Sequence, residues 1–419
     1  MKSFIILLSL LVIGNFCLAQ QSYTLSGMVK DKHGEALPGA GVYVSGYKIA
    51  TVTDNNGKYV LPLKPGNYDI LVQLIGYKAL NKNVVIADKA VKLDLTLEES
   101  ITQLAEVTIK PDPNREHYIA MFKDYFIGTT PNAEQCKLIN PKVLIIDYDK
   151  EEHKLTVKTT EFLIVENKAL GYRIKYLLNN FEYDRKTRII YYEGFPYYED
   201  LKGSARRKKI WDQKRITAYL GSPQHFFRSI YHHRATEEGF IINKLMTKSN
   251  PDRPSDSMIN ANIKRLTKVQ DGLTRTLTFT TGDSLSYWIK KKNLASGISF
   301  LSRAPLAQDT LVHVENQSIK SFNFTDQLYV IYTKEREDPT YANRISLSIA
   351  RPLDMPDYQI STIALHVVPV YFYENGSIYN PRSMLYSGYW GWEKIADSVP
   401  MDYLPPAGLE EKSRISLKQ

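Results

Sequence analysis

The chain contains 419 residues, which is too long for a single hydrophobic core of ordinary size, so its length predicts two or more folding units. Its hydrophobic content of 43% and charged content of 24% are typical of globular proteins and argue against a disordered or fibrous chain. The formal charge of +9 is spread along the sequence. Because there is no Cys/His finger, RNP-type aromatic motif or long basic arm, we expect no nucleic acid as a partner.

Residues 1–19 have the layout of a secretory signal peptide. A lysine follows the initial methionine, residues 4–12 are almost entirely apolar, and Cys17 and Ala19 provide small side chains before a cut at Gln20. Acylation of Cys17 is the alternative, but the bulky Phe16 differs from the small residues that precede lipoprotein cysteines. We therefore expect residues 1–19 to be removed and the protein to be exported, either to the periplasm or to an outer-membrane-associated location.

One cysteine, Cys136, remains after this cleavage. The exported chain then cannot form an internal disulfide, so its domains depend on their hydrophobic cores. We expect Cys136 to be a buried small apolar side chain. No later segment reaches the roughly eighteen consecutive apolar residues that a membrane-spanning helix needs, so no transmembrane helix is expected after the signal peptide.

Residues 22–98 consist of short extended segments separated by turn-forming residues. Seven segments show strand character, among them residues 23–29, 59–63, 68–74 and 91–97. Asn55-Asn56-Gly57 predicts a hairpin turn between two of these strands. Seven strands at this spacing predict a β-sandwich.

Five short motifs occur within this segment, at residues 26–31, 38–42, 51–59, 65–68 and 75–77. In their residues and their order they resemble the carboxypeptidase-regulatory-like domains. The resemblance implies a transthyretin-like sandwich. It also implies a place among exported proteins and TonB-dependent transporters of Bacteroidota, where such domains are found at the N-terminus.

The family name does not bring a peptidase activity with it. In metallocarboxypeptidases this sandwich accompanies a separate zinc domain, whose ligands resemble His-x-x-Glu followed by a distant histidine. None of the eight histidines has a glutamate three positions later, and His-Glu-x-x-His does not occur. We expect no carboxypeptidase activity, no metal site and no cofactor.

A linker over residues 99–113, with a short strand at 105–109, leads to a second domain over residues 114–405 and a tail over 406–419. At the start of this region, Asp112 as cap and Pro113 at the first position predict a helix, which carries an apolar stripe from Tyr118 to Phe126 and is ended by Gly128. Alternation predicts strands at residues 154–158, 172–176, 275–279, 327–333 and 362–373, and two helices are expected near 206–219 and 222–238. The region resembles an uncharacterised C-terminal region that accompanies the sandwich in Bacteroidota proteins. This resemblance implies a cellular location but no enzymatic activity.

The predicted fold class is therefore mainly β with some α. We expect an N-terminal seven-stranded transthyretin-like β-sandwich followed by a larger β-rich α+β domain.

The second of these helices carries the catalytic candidates. His225, Arg228 and His232 recur at helical spacing behind the predicted N-cap Ser222, so they share one face. Such a face suits an anion-binding or acid/base site, because imidazole titrates near neutral pH and guanidinium binds carboxylate or phosphate. The alternative, which we favour, is a polar face in water or in structural hydrogen bonds.

Basic and aromatic residues supply the binding candidates. Arg206 and Arg207 begin the densest basic stretch, with Trp211 beside it, and such a stretch could contact lipopolysaccharide phosphates. A solvated helix face with Trp211 packed inward is the favoured alternative. Trp390 and Trp392 could stack on sugar rings, although packing between strands is the commoner use of such residues.

These patterns favour a non-enzymatic envelope protein that binds a protein, a glycan or an envelope polymer such as lipopolysaccharide. The alternative is a periplasmic hydrolase with its site in the second domain, around His225, Arg228 and His232.

Overall fold

The computed structural model describes residues 22–100, 112–266, 284–342, 349 and 351–406. Several expectations lie outside these residues: the signal peptide at 1–19, the strand at 105–109, the alternating segment at 275–279 and the tail beyond residue 406. The described residues form five sheets with helices between them. The expected mainly β fold with an N-terminal sandwich and an α+β C-terminal region is confirmed.

Eight strands form the N-terminal sandwich. They are β1 (Tyr23–Asp31), β2 (Gly41–Val44), β3 (Ala50–Val52), β4 (Lys58–Leu63), β5 (Gly66–Gln73), β6 (Leu80–Ile86), β7 (Val91–Lys92) and β8 (Leu95–Leu97). β1 pairs antiparallel with β4 and parallel with β7 and β8, and the other sheet has the order β3-β2-β5-β6. The sequence predicts one strand fewer. The last segment is divided because the carboxylate of Asp94, instead of a backbone carbonyl, accepts the hydrogen bond of Met28 N at 3.0 Å.

Alternation along the strands builds the sandwich core. In β4, for example, every second side chain is buried and those between are exposed, as a strand with one solvent face requires. The predicted turn at Asn55-Asn56-Gly57 forms, with Gly57 at φ 71° and the Asp54 carboxylate accepting two backbone N–H groups. The turn does not close a hairpin, because β3 and β4 belong to different sheets and β4 pairs with the distant β1.

A six-stranded antiparallel sheet and one helix follow. The strands are β9 (Cys136–Leu138), β10 (Ile145–Asp149), β11 (Lys154–Lys158), β12 (Leu163–Asn167), β13 (Tyr172–Asp184) and β14 (Ile190–Asp200). The long β13 pairs with β11, β12 and β14, and Cys136 is buried, as expected. α1 (Arg115–Phe126) buries Phe122 and Phe126 completely against this sheet. Pro113 precedes the helix instead of opening it, because the Asp112 carboxylate accepts Asn114 N at 2.8 Å and forms a turn there.

Two further sheets enclose a second C-terminal core. A five-stranded sheet has the order β16-β15-β19-β20-β22, and a three-stranded sheet has the order β17-β18-β21. The strands are β15 (Phe240–Ser249), β16 (Gly297–Pro305), β17 (Val312–Val314), β18 (Ile319–Phe322), β19 (Gln327–Arg336), β20 (Tyr358–Leu365), β21 (Val370–Tyr373) and β22 (Met384–Gly388). The extended segment predicted over residues 362–373 thus belongs to two strands of different sheets.

The remaining helices are α2 (Ala205–Tyr219), α3 (Pro223–Tyr231), α4 (Asp256–Leu266), α5 (Ser284–Asn293), α6 (Pro339–Ala342) and α7 (Tyr389–Trp392). As predicted, the Ser222 hydroxyl caps α3, accepting from His225 N at 3.2 Å. The predicted end near residue 238 is wrong. α3 ends at Tyr231, because His233 has a left-handed φ of 58° and the chain then turns towards β15. Within the part of the chain that is described, no helix is long and apolar enough to cross a membrane.

The last described residues return to the earlier parts of the chain. Ile395, Ala396 and Val399 complete the core beneath the six-stranded sheet, and Met401 packs against the core of the sandwich. This return segment, residues 395–403, therefore contacts both the sandwich and the C-terminal region.

Candidate functional site

His225 is buried at the start of α3, where it takes part in a closed set of hydrogen bonds. Gly221 N donates to its Nδ1 at 3.0 Å, so the proton lies on Nε2, which donates to the Glu238 carboxylate at 2.9 Å. Burial lowers the pKa of His225. Burial would raise the pKa of Glu238, but hydrogen bonds from His225 and Ser229 outweigh it and lower that pKa to about 2. The imidazole is therefore a neutral link between α3 and the turn that follows.

Arg228 fastens distant segments to α3. Its guanidinium donates to three backbone carbonyl oxygens: Asn375 O at 3.0 Å, Tyr403 O at 2.7 Å and Met401 O at 2.5 Å. The side chain is buried, so these bonds lie out of water. The guanidinium also lies 5.4 Å from the centre of the Tyr219 ring and donates to the Tyr219 hydroxyl at 3.4 Å, so its contacts are with the fold itself and the position is structural in geometry.

His232, at the end of α3, lies at the surface. Its Nε2 is 3.5 Å from the Glu374 carboxylate, and both side chains are about half exposed or more. The three catalytic candidates therefore do not meet at a cavity: His225 and Arg228 lie inside the fold, and His232 faces solvent.

The binding candidates also differ in their surroundings. Trp211 is buried and donates to Lys168 O at 2.9 Å, and Trp390 is buried and donates to Gly221 O at 2.6 Å. Neither indole has a free face for a sugar ring. Arg206 and Arg207 are exposed on α2, where their guanidinium groups face solvent.

Trp392 lies at the wall of a cleft of about 350 Å³ between α2, α7 and the loop at Thr130. Its ring is buried, 5.3 Å from the rings of Tyr341 and Tyr389. Its Nε1 has no hydrogen-bond acceptor in the described parts of the chain. Trp392 is therefore a cleft residue, but it lies too deep to act as a flat stacking platform.

Polar side chains form much of the remaining wall. α2 contributes Gln213, Lys214 and Thr217, and β20 contributes Gln359. A neighbouring depression shares Thr217 and Gln359 with the cleft and adds Glu335. The two hollows therefore form a continuous polar surface.

Carboxyl groups from two separate segments face this surface. Burial raises the pKa of Glu335 to about 8, although Gln359 Nε2 donates to its carboxylate at 3.1 Å. Burial, reinforced by the charge of Asp397, raises the pKa of Glu393 well above its usual range. Both side chains keep partial exposure to the cleft. At neutral pH they are therefore carboxylic acids that can donate as well as accept hydrogen bonds.

Asp397 has a different environment. Burial raises its pKa to about 6, although its carboxylate accepts from Asn132 Nδ2 at 2.9 Å and from the Thr130 hydroxyl at 3.0 Å. Burial also lowers the pKa of the neighbouring Lys394 to about 8. Asp397 thus holds the Thr130 loop against the return segment while forming the floor of the cleft.

The carboxyl groups of this cleft were not found by sequence reasoning. Glu335 and Asp338 belong to one segment and Glu393 and Asp397 to another, and the fold brings the two together, so no local spacing relates one pair to the other. The one available signal was the aromatic cluster that ends at Trp392, directly before Glu393. Within the described ranges, no group of three or more His, Cys, Asp or Glu side chains is arranged to hold a metal ion.

Residues 25–109 match the family model described as a CarboxypepD_reg-like domain. The N-terminal sandwich is a CarboxypepD_reg-like domain. The chain is similar to part of the TonB-dependent receptor SusC of Bacteroides thetaiotaomicron, with 34% identity over 105 residues, or 22% of this chain and 10% of the receptor. It is also similar to part of the TonB-dependent receptor P39 of Formosa agariphila, with 34% identity over 85 residues, or 20% of this chain and 8% of the receptor. The chain thus spans about a tenth of the length of these relatives.

Among solved structures, the streptococcal ancillary pilin aligns with 19% of this chain and 33% of its own, at 19% identity and a TM-score of 0.18.

The CarboxypepD_reg-like domain is joined to the C-terminal region through the loop between β2 and β3. Gly46 N donates to Pro196 O at 2.6 Å, and Tyr198 N donates to Tyr47 O at 3.1 Å. On the other side of the same loop, Met401 N donates to Gly46 O at 2.7 Å. The Tyr47 hydroxyl is buried and accepts from Asn375 Nδ2 at 2.7 Å, and burial raises its pKa to about 12. The CarboxypepD_reg-like domain is therefore held by backbone hydrogen bonds to both β14 and the return segment.

Proposed function

We propose that this protein is an exported envelope protein whose C-terminal cleft binds an uncharged, hydroxyl-rich ligand such as a short glycan. The observation that carries the proposal is the cleft at Trp392, which combines protonated carboxyl groups with amides and hydroxyls. Neutral donors and acceptors in a concave site are what the hydroxyl groups of a sugar require.

The ligand class follows from the charge state of the wall. Glu335 and Glu393 are uncharged at neutral pH, and the other charged side chains of the two hollows are of both signs, so the surface does not select strongly for an ion of one charge. These side chains are Lys214, Lys334, Arg336, Asp338 and Asp397. Gln213, Thr217 and Gln359 add groups that bond equally well to hydroxyl donors and acceptors.

The envelope location is supported by the layout of residues 1–19 and by two relatives of the chain, which are named as TonB-dependent receptors. The CarboxypepD_reg-like domain is not part of the cleft. We propose that it serves as the attachment module and presents the C-terminal region to its ligand.

Two exposed residues of α2 offer a test that spares the fold. Gln213 and Thr217 reach the cleft and are largely solvent-exposed, so the Gln213→Ala/Thr217→Ala variant removes two contacts without opening the core. Lys208→Ala/Asp212→Ala, on the opposite face of the same helix, is the matched control. We expect calorimetry with glucose, mannose, xylose and N-acetylglucosamine oligomers to find at least one that binds, with affinity reduced about tenfold in the cleft variant only, the loss of one or two hydrogen bonds.

Two results would contradict this function: no binding of any of these oligosaccharides by the unmodified protein, or equal weakening by both variants.

A glycan-cleaving hydrolase is a second candidate, and the unequal carboxyl groups of the cleft favour it. Glycoside hydrolysis uses one protonated and one ionised carboxyl group, and the raised pKa of Glu393 beside a pKa of about 6 for Asp397 supplies such a pair. This moves the hydrolase site away from His225, Arg228 and His232. Release of reducing ends that is abolished by Glu393→Gln, with binding retained, would support the enzyme over the binding protein.

A further inference from the structure

An arm projects from the five-stranded sheet of the C-terminal region. It consists of residues 246–266 and 284–301, which hold the outer parts of β15 and β16 together with α4 and α5. β15 pairs with β19 only as far as Leu245, opposite Gln327. Beyond that point its sole described partner strand is β16, with Met246 opposite Phe300 and Lys248 opposite Ile298. The arm is therefore a two-stranded ribbon with a helix pair at its end.

Little of the arm is buried. Ile259 is the one buried side chain of α4 and α5 among the described residues, whereas many large apolar side chains are exposed. The most exposed are Met258 (53%), Tyr287 (52%), Phe300 (46%) and Ile298 (40%). Exposed apolar side chains grouped on one projection mark an interaction surface.

The arm is also strongly cationic. It holds seven Lys and Arg side chains against two Asp side chains. Within the described residues, Lys248, Lys290 and Lys292 have no carboxylate partner, so their charge is available to a ligand.

Lysines and apolar side chains share the same faces of the arm. Opposite residues of a ribbon point to one side, so Met246, Lys248, Ile298 and Phe300 form one face, with Lys248 Nζ 5.7 Å from the centre of the Phe300 ring. On α5, helical spacing aligns Tyr287, Lys290 and Lys291, and Lys291 Nζ lies 5.5 Å from the centre of the Tyr287 ring.

We propose that this arm docks on the surface of an anionic lipid bilayer. Lysine side chains can lie along apolar surface while their ammonium groups reach phosphates, and the neighbouring aromatic and aliphatic groups enter the headgroup boundary. A folded acidic protein would match the charge of the arm, but its surface has no continuous apolar layer into which scattered apolar side chains could insert. Lysines and apolar side chains alternate on the ribbon face and on α5, and this arrangement therefore favours a lipid surface.

Vesicle sedimentation tests the proposal with the intact chain. Phosphatidylcholine vesicles containing about a third phosphatidylglycerol should bind the protein, and pure phosphatidylcholine vesicles should bind it far more weakly. Lys248→Gln/Lys290→Gln/Lys292→Gln should reduce the partition coefficient about 100-fold, since each lysine near an anionic surface contributes about fivefold. Ile298→Ser/Phe300→Ser should also weaken binding, and its remaining binding should be more sensitive to salt.

The matched control removes the same charge elsewhere. Arg206→Gln/Arg207→Gln/Lys208→Gln neutralises three exposed basic residues of α2, and it should bind vesicles nearly as well as the unmodified protein. Thermal unfolding of each variant identifies any loss of fold.

Tryptophan fluorescence locates the contact. Trp288 is the arm's only tryptophan, and it is partly exposed, whereas Trp211, Trp390 and Trp392 are buried in the body of the protein. Brominated lipids in the vesicles should quench fluorescence in the unmodified protein and not in the Trp288→Phe variant.

Three results would overturn the proposal. One is absence of binding to the anionic vesicles, and another is equal loss of binding in the α2 control. The third is arm-dependent binding to soluble polyglutamate without vesicle binding, which would assign the surface to an acidic protein partner.

Discussion

Arg228 offers a direct measure of how the return segment is held. Replacing it with methionine keeps most of the side-chain volume but removes the hydrogen bonds to Asn375 O, Met401 O and Tyr403 O. A hydrogen bond from a charged group contributes about 1.5–3 kcal/mol, and the cost of burying the guanidinium offsets part of the sum. We therefore expect Arg228→Met to lower the free energy of unfolding by about 4 kcal/mol, close to the loss seen when one partner of a buried charged contact is removed.

The assay is urea unfolding, combined with hydrogen exchange at the amides of the return segment. Met401 N, which donates to Gly46 O, should exchange faster in Arg228→Met, because the carbonyl groups of Met401 and Tyr403 lose the guanidinium that holds them. Arg206→Met, on the exposed face of α2, is the control and should cost less than about 0.5 kcal/mol. If the two variants lose similar stability and exchange at Met401 is unchanged, Arg228 does not hold this segment.

Three further predictions concern other buried positions. Burial raises the pKa of Glu335 to about 8, so the folded state retains a proton that the unfolded chain releases. The free energy of unfolding should therefore fall as pH rises from about 5 to 8, at up to about 1.4 kcal/mol per pH unit. Urea unfolding of Glu335→Gln across this range should show a weaker pH dependence, and an unchanged dependence would contradict the raised pKa. Asn167→Ala removes a completely buried amide that makes three hydrogen bonds to backbone, and should cost about 3 kcal/mol in chemical denaturation, whereas a loss below about 1 kcal/mol would mean that water replaces these bonds. Gly171→Ala would place its Cβ 2.2 Å from the Trp211 ring, whereas Gly34 has a similar left-handed φ with open space around it. Gly171→Ala should therefore lower the melting temperature far more than Gly34→Ala. Equal effects would show that the backbone conformation alone is responsible.

Local patterns were sufficient for much of the secondary structure. Alternation predicted the strands of the sandwich because each has one buried and one solvent face, and Ser222 with Pro223 predicted the start of α3 because capping depends on neighbouring residues only. The end of α3 was predicted seven residues too late. Glycine at 239 suggested a helix end there, but the left-handed turn at His233 comes first.

Burial of polar groups could not be predicted in the same way. A helix face with His225 and Arg228 has the same local pattern whether it meets water or a distant carbonyl group. The decisive partners come from Glu238, Asn375 and the return segment, and their positions depend on the tertiary fold. The cleft carboxyl groups were missed for the same reason, since their raised pKa values result from burial that no local spacing encodes.

The return segment also determines the order in which the molecule can become complete. The hydrogen bond between Thr130 and Asp397 joins positions 267 residues apart, whereas the sheets of the sandwich pair within the first hundred residues. A chain that emerges from its N-terminus can fold the sandwich early, but the core beneath the six-stranded sheet stays open until Ile395 and Val399 arrive. Since a chain is synthesised at about 5–20 residues per second, this core remains incomplete for tens of seconds. Truncations that remove the return segment should therefore yield a folded sandwich attached to an aggregation-prone remainder.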